Sequence, residues 1–252
     1  MVMRLAEQAE TLRALHVPGS PLVLPNAWDA ASARLVEEAG FATVATSSGA
    51  VARSLGYEDG GGMPPDEAFA AVARIARATT LPVTADVEDG YGLEARELVE
   101  RLLEAGAVGC NLEDSDHRGG EGPLVPAEQQ AERIASVKDA ARAAQVDVVV
   151  NARVDVHLRR VGREESRLDE ALRRARLYAD AGADCVFPIM VFDDETIRAL
   201  VAGVDAPVNV LARVDAAAVP RLAALGVARI SFGSGLAAAA VEHLRGVLAG
   251  LR

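Results

Sequence analysis

Val83-Thr84-Ala85-Asp86-Val87-Glu88-Asp89-Gly90-Tyr91-Gly92 reads as a buried strand that ends in acid. Asp86 and Glu88 lie two residues apart, so an extended backbone points both carboxylates the same way, and Asp89 with two glycines then turns the chain into a loop. Paired carboxylates at a strand end suit a hard divalent cation. Taken alone, the stretch is read for preference as a solvated acidic loop, and the rest of the chain must shift that reading.

Outward from this stretch, one unit recurs. An apolar strand of four to six residues leads through a loop into an amphipathic helix, and a glycine stop introduces the next strand. The strands are expected at Leu22–Leu24, Thr43–Thr46, Leu81–Val87, Val108–Leu112, Val146–Ala152, Cys185–Met190, Val208–Leu211 and Arg229–Phe232. Helices over Ala30–Ala39, Leu93–Ala105, Leu168–Ala181 and Ala216–Leu225 each run into a glycine suited to a C′ position: Gly40, Gly106, Gly182 and Gly226. Pro65-Asp66-Glu67 and Pro126-Ala127-Glu128 open two more, with proline and acid where a helix N-terminus prefers them. A further helix leads the chain, with Leu5, Ala9, Leu12 and Leu15 at helical spacing.

Eight short strands, apolar on both faces and alternating with helices, predict a closed parallel sheet, the α/β class (β/α)8 TIM barrel. No GxGxxG opens a first helix, which counts against an open dinucleotide-binding sheet. No linker interrupts the pattern, so residues 1–252 are expected to form a single domain. With 252 residues, half of them apolar, the chain is long enough for one large core.

The formal net charge of -11 argues against nucleic acid or an anionic membrane as partner. Cys110 and Cys185 sit far apart in apolar runs, without a CxxC pattern, and read as buried small hydrophobes in a reducing cytoplasm. Neither a signal peptide nor a run of about 18 apolar residues is found.

A barrel of this kind places its chemistry where strands end. The strand ends here read Pro25-Asn26, Thr46-Ser47-Ser48-Gly49, Asp86-Val87-Glu88-Asp89, Asn111-Leu112-Glu113-Asp114, Asn151-Ala152-Arg153-Val154-Asp155, Pro188, Asn209 and Ser231-Phe232-Gly233. Asp86 with Glu88, Glu113 with Asp114, and Asp155 converge, joined by Glu58 and Asp59 from the glycine-rich loop after the second strand. Such a cluster repels itself unless a cation sits within it. An all-oxygen donor set suits Mg2+ or Mn2+, with Asp86 binding directly and other carboxylates holding metal-bound waters. For Asp155 and Ser234 taken singly, a loop or helix-cap role is the preferred reading.

Arg153 stands against this acid. It either clamps a substrate carboxylate or neutralises the cluster, and both readings need the same geometry. The Ser47-Ser48-Gly49 turn offers hydroxyls and N–H groups to another anionic oxygen. Cation, arginine and turn together fit a small 2-oxo acid, whose cleavage beside the keto group leaves an enolate.

In combination and in this order, Leu24-Pro25-Asn26-Ala27-Trp28-Asp29, Ala45–Gly49, Gly56–Gly60, Ala85–Gly92, Asn111–Asp114 and Asn151–Arg153 carry a likeness. From Leu22 to Ala240 the sequence resembles the isocitrate lyase/phosphoenolpyruvate mutase superfamily. The resemblance implies a Mg2+-binding barrel that cleaves or forms C–C or C–P bonds beside the keto group of a 2-oxo acid. It implies metal roles for Asp86, Glu88 and Glu113, water-holding or catalytic roles for Asp59 and Glu113, and substrate contacts from Ser47, Ser48, Gly49, Asp86 and Arg153. Asn209, at another strand end, is added to the substrate set. It further implies a homo-oligomer, dimer or tetramer, in which the segment from Leu236 onward exchanges between subunits.

One departure matters. Lyases of this family follow their Glu-Asp with a loop bearing Lys/Arg-Cys-Gly-His, whose cysteine is the catalytic acid or base. Here the loop reads Ser115-Asp116-His117-Arg118-Gly119-Gly120-Glu121-Gly122-Pro123, without cysteine, and without the lysine of the phosphonate branch. Cys110 lies earlier, inside the strand. His117 and Arg118 remain as the loop's titratable and cationic candidates, against the plain reading of His117 as a surface histidine. The expected reaction is Mg2+-dependent cleavage of a C–C bond in a 2-oxo acid, a dicarboxylate for preference, through a metal-stabilised enolate. A C–P hydrolase or mutase, and a non-catalytic binder of 2-oxo acids, are the alternatives.

Overall fold

The computed structural model describes residues 2–117, 119 and 124–251. The strands are β1 (Leu22–Leu24), β2 (Asn26–Ala27), β3 (Val44–Thr46), β4 (Val83–Asp86), β5 (Gly109–Glu113), β6 (Val149–Val154), β7 (Cys185–Pro188), β8 (Asn209–Leu211) and β9 (Arg229–Ser231). The helices are α1 (Val2–Ala14), α2 (Ala30–Glu38), α3 (Ser48–Leu55), α4 (Pro65–Ala76), α5 (Ala95–Ala105), α6 (Ala127–Ala143), α7 (Arg167–Asp180), α8 (Asp194–Gly203), α9 (Ala218–Ala224) and α10 (Gly235–Ala249).

All pairings between strands are parallel, in two runs: β2-β3-β4-β5-β6-β7 and β1-β9-β8. A parallel bridge from Val186 to Val208 joins β7 to β8. On the other side only Pro25 separates β1 from β2, so the two are one strand interrupted where proline offers no N–H. Together these links close an eight-stranded barrel. Asn26 seals the seam, its Nδ2 donating to Thr46 O (2.8 Å) and its Oδ1 accepting from Phe232 N (2.8 Å).

Most strand side chains are Val, Ala, Ile and Leu at or near zero exposure, buried between the barrel centre and the surrounding helices, with Asn151, Asn209 and Arg229 buried among them. Helix α1 covers the barrel's N-terminal end. Its Leu12 packs so closely on Gly109 that a Cβ there would meet Leu12 Cδ2 at 2.8 Å. Glycine stops end the helices as expected, Gly106 at φ +84° and Gly226 at φ +83° among them.

Three details differ from the sequence reading. The Ser-Ser-Gly segment is a helix start rather than a turn: Ser47 is the N-cap, its Oγ accepting from Ala50 N at 3.4 Å, and Ser48 and Gly49 open α3. Helix α8 is an addition, capped by Asp193, whose side chain accepts from Thr196 N at 2.8 Å. The sixth strand starts later than expected and runs on to Val154, which carries Arg153 to the barrel rim.

Candidate active site

The acidic mouth divides into two halves. On the β3/β4 side, Asp86 Oδ2 accepts from both the backbone N (3.1 Å) and Oγ (3.0 Å) of Ser48, so the first turn of α3 points donors at the β4 carboxylate. Asp59 reaches in from an exposed loop, 3.2 Å from Ser48 Oγ. Gly49 makes that approach possible, since a Cβ on it would stand 2.5 Å from Asp59 Oδ2. Glu88 occupies a left-handed backbone position, φ +53°, that turns its carboxylate under the glycine-rich loop, where Oε2 accepts from Gly61 N. Glu58 is exposed and takes no part.

Two oxygens on this side are buried without a partner: Asp86 Oδ1 and Glu88 Oε1. Burial pushes the Glu88 carboxyl up to about 7, and the charges of Glu113, Asp86 and Asp59 add to it.

On the β5/β6 side every carboxylate is matched. Glu113 accepts from Arg153 Nη1 (Oε2, 2.5 Å) and faces His117 Nε2 (Oε1, 2.5 Å). Asp155 takes the other edge of the same guanidinium, Oδ1 from Nε (2.7 Å) and Oδ2 from Nη2 (2.9 Å), and accepts from Ser115 Oγ (2.5 Å). Burial raises the Glu113 carboxyl above its ordinary range while Arg153 opposes the shift. Burial also works against the Arg153 charge, yet Glu113 and Asp155 hold its pKa well above the usual value. The hydrogen bond that its ring makes to Glu113 raises that of His117.

The placement revises several expectations. Asp155 is a fully buried partner of Arg153 rather than a loop or cap residue, and its i, i+2 spacing from Arg153 was the available signal. Ser234 is the N-cap residue of α10, as expected, and its Oγ also lies 3.0 Å from Ser47 Oγ. Asp114 leaves the mouth. Strand alternation turns it outward, where Tyr178 (2.7 Å) and Arg174 (3.0 Å) from α7 bind Oδ2 and the Asp155 N–H donates to Oδ1 (2.8 Å). Asn209 is fully buried, and its amide is committed to Ser231 (Nδ2 to Oγ, 3.3 Å), so it does not join the substrate set. His117 is no surface histidine, with its side chain 9% exposed beneath Gly60 and Gly61. Arg118 and the segment 120–123 lie outside the described residues. Burial pushes the thiols of Cys110 and Cys185 up to about 12, which leaves neither a nucleophile nor an acid at neutral pH.

A hard divalent cation fits this donor set. Two inward carboxylate oxygens lack partners, all candidate donors are oxygen, and Arg153 is bound to the acids of the opposite half. Among the described residues no three His, Cys, Asp or Glu side chains converge closely enough to cage an ion. That geometry suits Mg2+, which keeps most of its waters, better than a cation needing many protein ligands.

Residues 12–252 match the phosphoenolpyruvate phosphomutase family. The chain belongs to that family. A crystal structure provisionally assigned as a phosphonomutase, from Burkholderia cenocepacia J2315, superimposes with TM-score 0.90 at 42% identity, over 96% of this chain and 99% of that one. The 2-methylisocitrate lyase of Halalkalibacterium halodurans is 31% identical over 209 residues, 80% of this chain and 66% of that enzyme. A phosphonopyruvate hydrolase in complex with oxalate and Mg2+ matches with TM-score 0.84 at 26% identity, over 97% of this chain and 87% of that one. The family therefore contains both C–C lyases and enzymes of C–P chemistry on one barrel. No described helix is long and apolar enough to cross a membrane.

Proposed function

We propose that this chain is a Mg2+- or Mn2+-dependent enzyme that cleaves a C–C bond beside the keto group of a small 2-oxo acid. The observation that carries the proposal is the pair of buried, unpartnered carboxylate oxygens on Asp86 and Glu88, facing a half of the mouth where arginine matches every acid. Asp86 would hold the cation directly, with Asp59, Glu88 and Glu113 on its waters. When bound, the cation supplies Lewis-acid stabilisation of negative charge on the keto oxygen. Ser48, at the N-terminus of α3, orients Asp86 and presents a hydroxyl to the substrate. Arg153 keeps the carboxylate of the 2-oxo acid in register with the keto group, using the N–H groups left over from Glu113 and Asp155. As the bond from the α carbon to the departing group breaks, its electron pair becomes the enolate C=C while the keto π pair moves onto oxygen; the departing carbon leaves as CO2 or a carbonyl compound, and the α carbon then takes a proton. His117, hydrogen-bonded to Glu113 and covered by the Gly60-Gly61 loop, is the residue placed to deliver it.

The test is turnover of a panel containing 2-oxo diacids, methylisocitrate-like acids and phosphonopyruvate, with and without Mg2+ and against enzyme-free controls. Cleavage of a carbon acid that EDTA abolishes is expected. Activity confined to phosphonopyruvate would replace this reading with C–P hydrolysis, and binding of a 2-oxo acid without turnover of any panel member would replace it with a binding protein.

The fold also supports assembly with a second copy. Helix α10 follows the last barrel strand yet does not fold back: from Ala238 on it is exposed, including Val241, Leu244, Val247 and Leu248. The place it vacates is an apolar cavity of about 650 Å³ between α2 and α9, lined by Leu35, Val36, Phe41, Val219 and Leu236. Exchange of α10 between subunits fills both, in a homodimer or a tetramer built from such pairs. Light scattering should show an oligomer that a chain ended before Ala238 cannot form; a monomeric full-length chain would refute the exchange.

A further inference from the structure

We propose that Arg159 forms a subsite for a second carboxylate of the substrate, so that the chain selects 2-oxo diacids over 2-oxo monoacids. The inference rests on the reading of the mouth as a 2-oxo acid site and adds to it where the far end of the substrate lies.

Arg159 sits on the turn that follows β6, its backbone N donating to Asp155 O (2.8 Å). The side chain is half-buried. It returns toward the barrel rim, where Nε donates to Ser115 Oγ (2.9 Å) and Nη2 faces His117 Nδ1 (3.5 Å). Both contacts use one edge of the guanidinium, the Nε/Nη2 side. The terminal Nη1/Nη2 edge, the fork that matches a carboxylate in two parallel hydrogen bonds, is left uncommitted.

The contrast with Arg153 makes this informative. Arg153 spends its nitrogens on Glu113 and Asp155, whereas among the described residues no carboxylate comes within 4.0 Å of Arg159. In a chain with an excess of acid, a half-buried arginine at an acidic rim would ordinarily be paired. Its neighbours are instead a hydroxyl and an imidazole that are themselves engaged with the inner acids: Ser115 with Asp155, and His117 with Glu113. Those two side chains hold the guanidinium still without neutralising it. They also set its place, one imidazole width outward from Glu113, beyond the position assigned to the keto acid end. A substrate anchored by its 2-oxo acid end near Asp86 and Arg153 would bring a second carboxylate to the open fork of Arg159.

Calorimetric titration in Mg2+ with two probes tests this. Oxalate presents only the chelating end, whereas 3,3-difluorooxaloacetate is a 2-oxo diacid whose fluorinated carbon cannot enolise. For Arg159→Gln we expect diacid affinity to fall at least tenfold while oxalate affinity stays within twofold. Arg159→Lys, which keeps the charge without the planar fork, should fall between. Equal losses for both probes would show that Arg159 only braces Ser115 and His117, and an unchanged diacid affinity would show that it binds nothing; either overturns the inference and leaves the proposed function standing. A wild-type chain that binds oxalate but not the diacid overturns it too. Failure of the wild type to bind oxalate in Mg2+ overturns the proposed function, and the subsite with it.

Discussion

The two halves of the mouth hold similar numbers of carboxylates and solve the problem of burying them in opposite ways. On the β5/β6 side the chain supplies its own cation: Glu113 and Asp155 both grip Arg153, an imidazole meets the other oxygen of Glu113, and a hydroxyl shares Asp155 Oδ2 with the guanidinium. On the β3/β4 side only neutral donors appear, Ser48 and the Gly61 N–H, and one oxygen each of Asp86 and Glu88 is left bare. Buried charge without a partner is costly, and a protein tolerates it where a ligand completes the arrangement. The matched half is therefore structure that also positions substrate, and the unmatched half is the part that waits for a cation.

The largest effect should come from unmatching the matched half. Arg153→Ala leaves Glu113 and Asp155 buried without a counter-charge, and we expect a loss of about 3–5 kcal/mol in stability together with loss of substrate binding. Denaturant unfolding measures the first. The destabilisation should shrink as pH is lowered and the two carboxyls take up protons; a variant as stable as the wild type at pH 8 would mean that the arginine is not carrying these acids.

Asp86→Asn acts on the other half and should do the reverse. It removes a charge that no cationic side chain pairs, so stability without metal should hold or rise, while turnover falls by about 100- to 1,000-fold as transition-state charge loses its counter-ion. Thermal stabilisation by Mg2+ should vanish with it. Retained Mg2+ stabilisation in this variant would move the metal away from β4.

Most of the comparison was legible in the sequence. Asp86 and Glu88 at i, i+2 after an apolar strand, and glycine stops such as Gly106, fix the barrel and the acidic rim from pattern alone. The same alternation also contained what was misjudged, since it sends Glu113 inward, Asp114 outward, and Arg153 and Asp155 to one side. Which acids an arginine takes was not legible, because that depends on register between neighbouring strands, where Glu113 lies opposite Arg153. The helix at Ser48 was hidden by composition: Ser-Ser-Gly suits a turn as well as a helix N-terminus, and the difference lies in tertiary contacts such as those of Ser48 with Asp86. Arg159 carried no signal, being one of several arginines on a turn whose direction is set by the backbone contact with Asp155.

The response to Mg2+ of the pH dependence of stability distinguishes the halves in the unmodified protein, since burial raises the carboxyls of both Glu88 and Glu113. Glu88 keeps its proton up to about pH 7 in the fold and releases it near the ordinary carboxylate value when unfolded. Between those values the folded state binds more protons, so the group's contribution is complete below the unfolded pKa and is lost as pH rises through 7. Without metal, the melting temperature should drop by a few degrees between pH 5 and pH 8, on the scale of about 2–4 °C per kcal/mol for a chain of this size. Added Mg2+ should flatten that slope by stabilising the ionised form. A slope that Mg2+ leaves untouched would place the titrating group outside the metal's reach.

The smallest and most local test is Gly49→Ala. Its Cβ would overlap Asp59 Oδ2 at 2.5 Å, but Asp59 lies at the end of a movable side chain on an exposed loop, so the clash can be relieved by letting the carboxylate swing out. Helix α3 gains a residue with better helix propensity in the process. The melting temperature should hence change little, while Asp59 leaves Ser48 and the cation loses one acid from its water shell, with activity falling by about tenfold, or 1.4 kcal/mol. Asp59→Asn should lose a similar amount, and the double variant little more than either alone, because both changes remove the same carboxylate. Additive losses would mean that Gly49 serves the substrate directly rather than making room for Asp59.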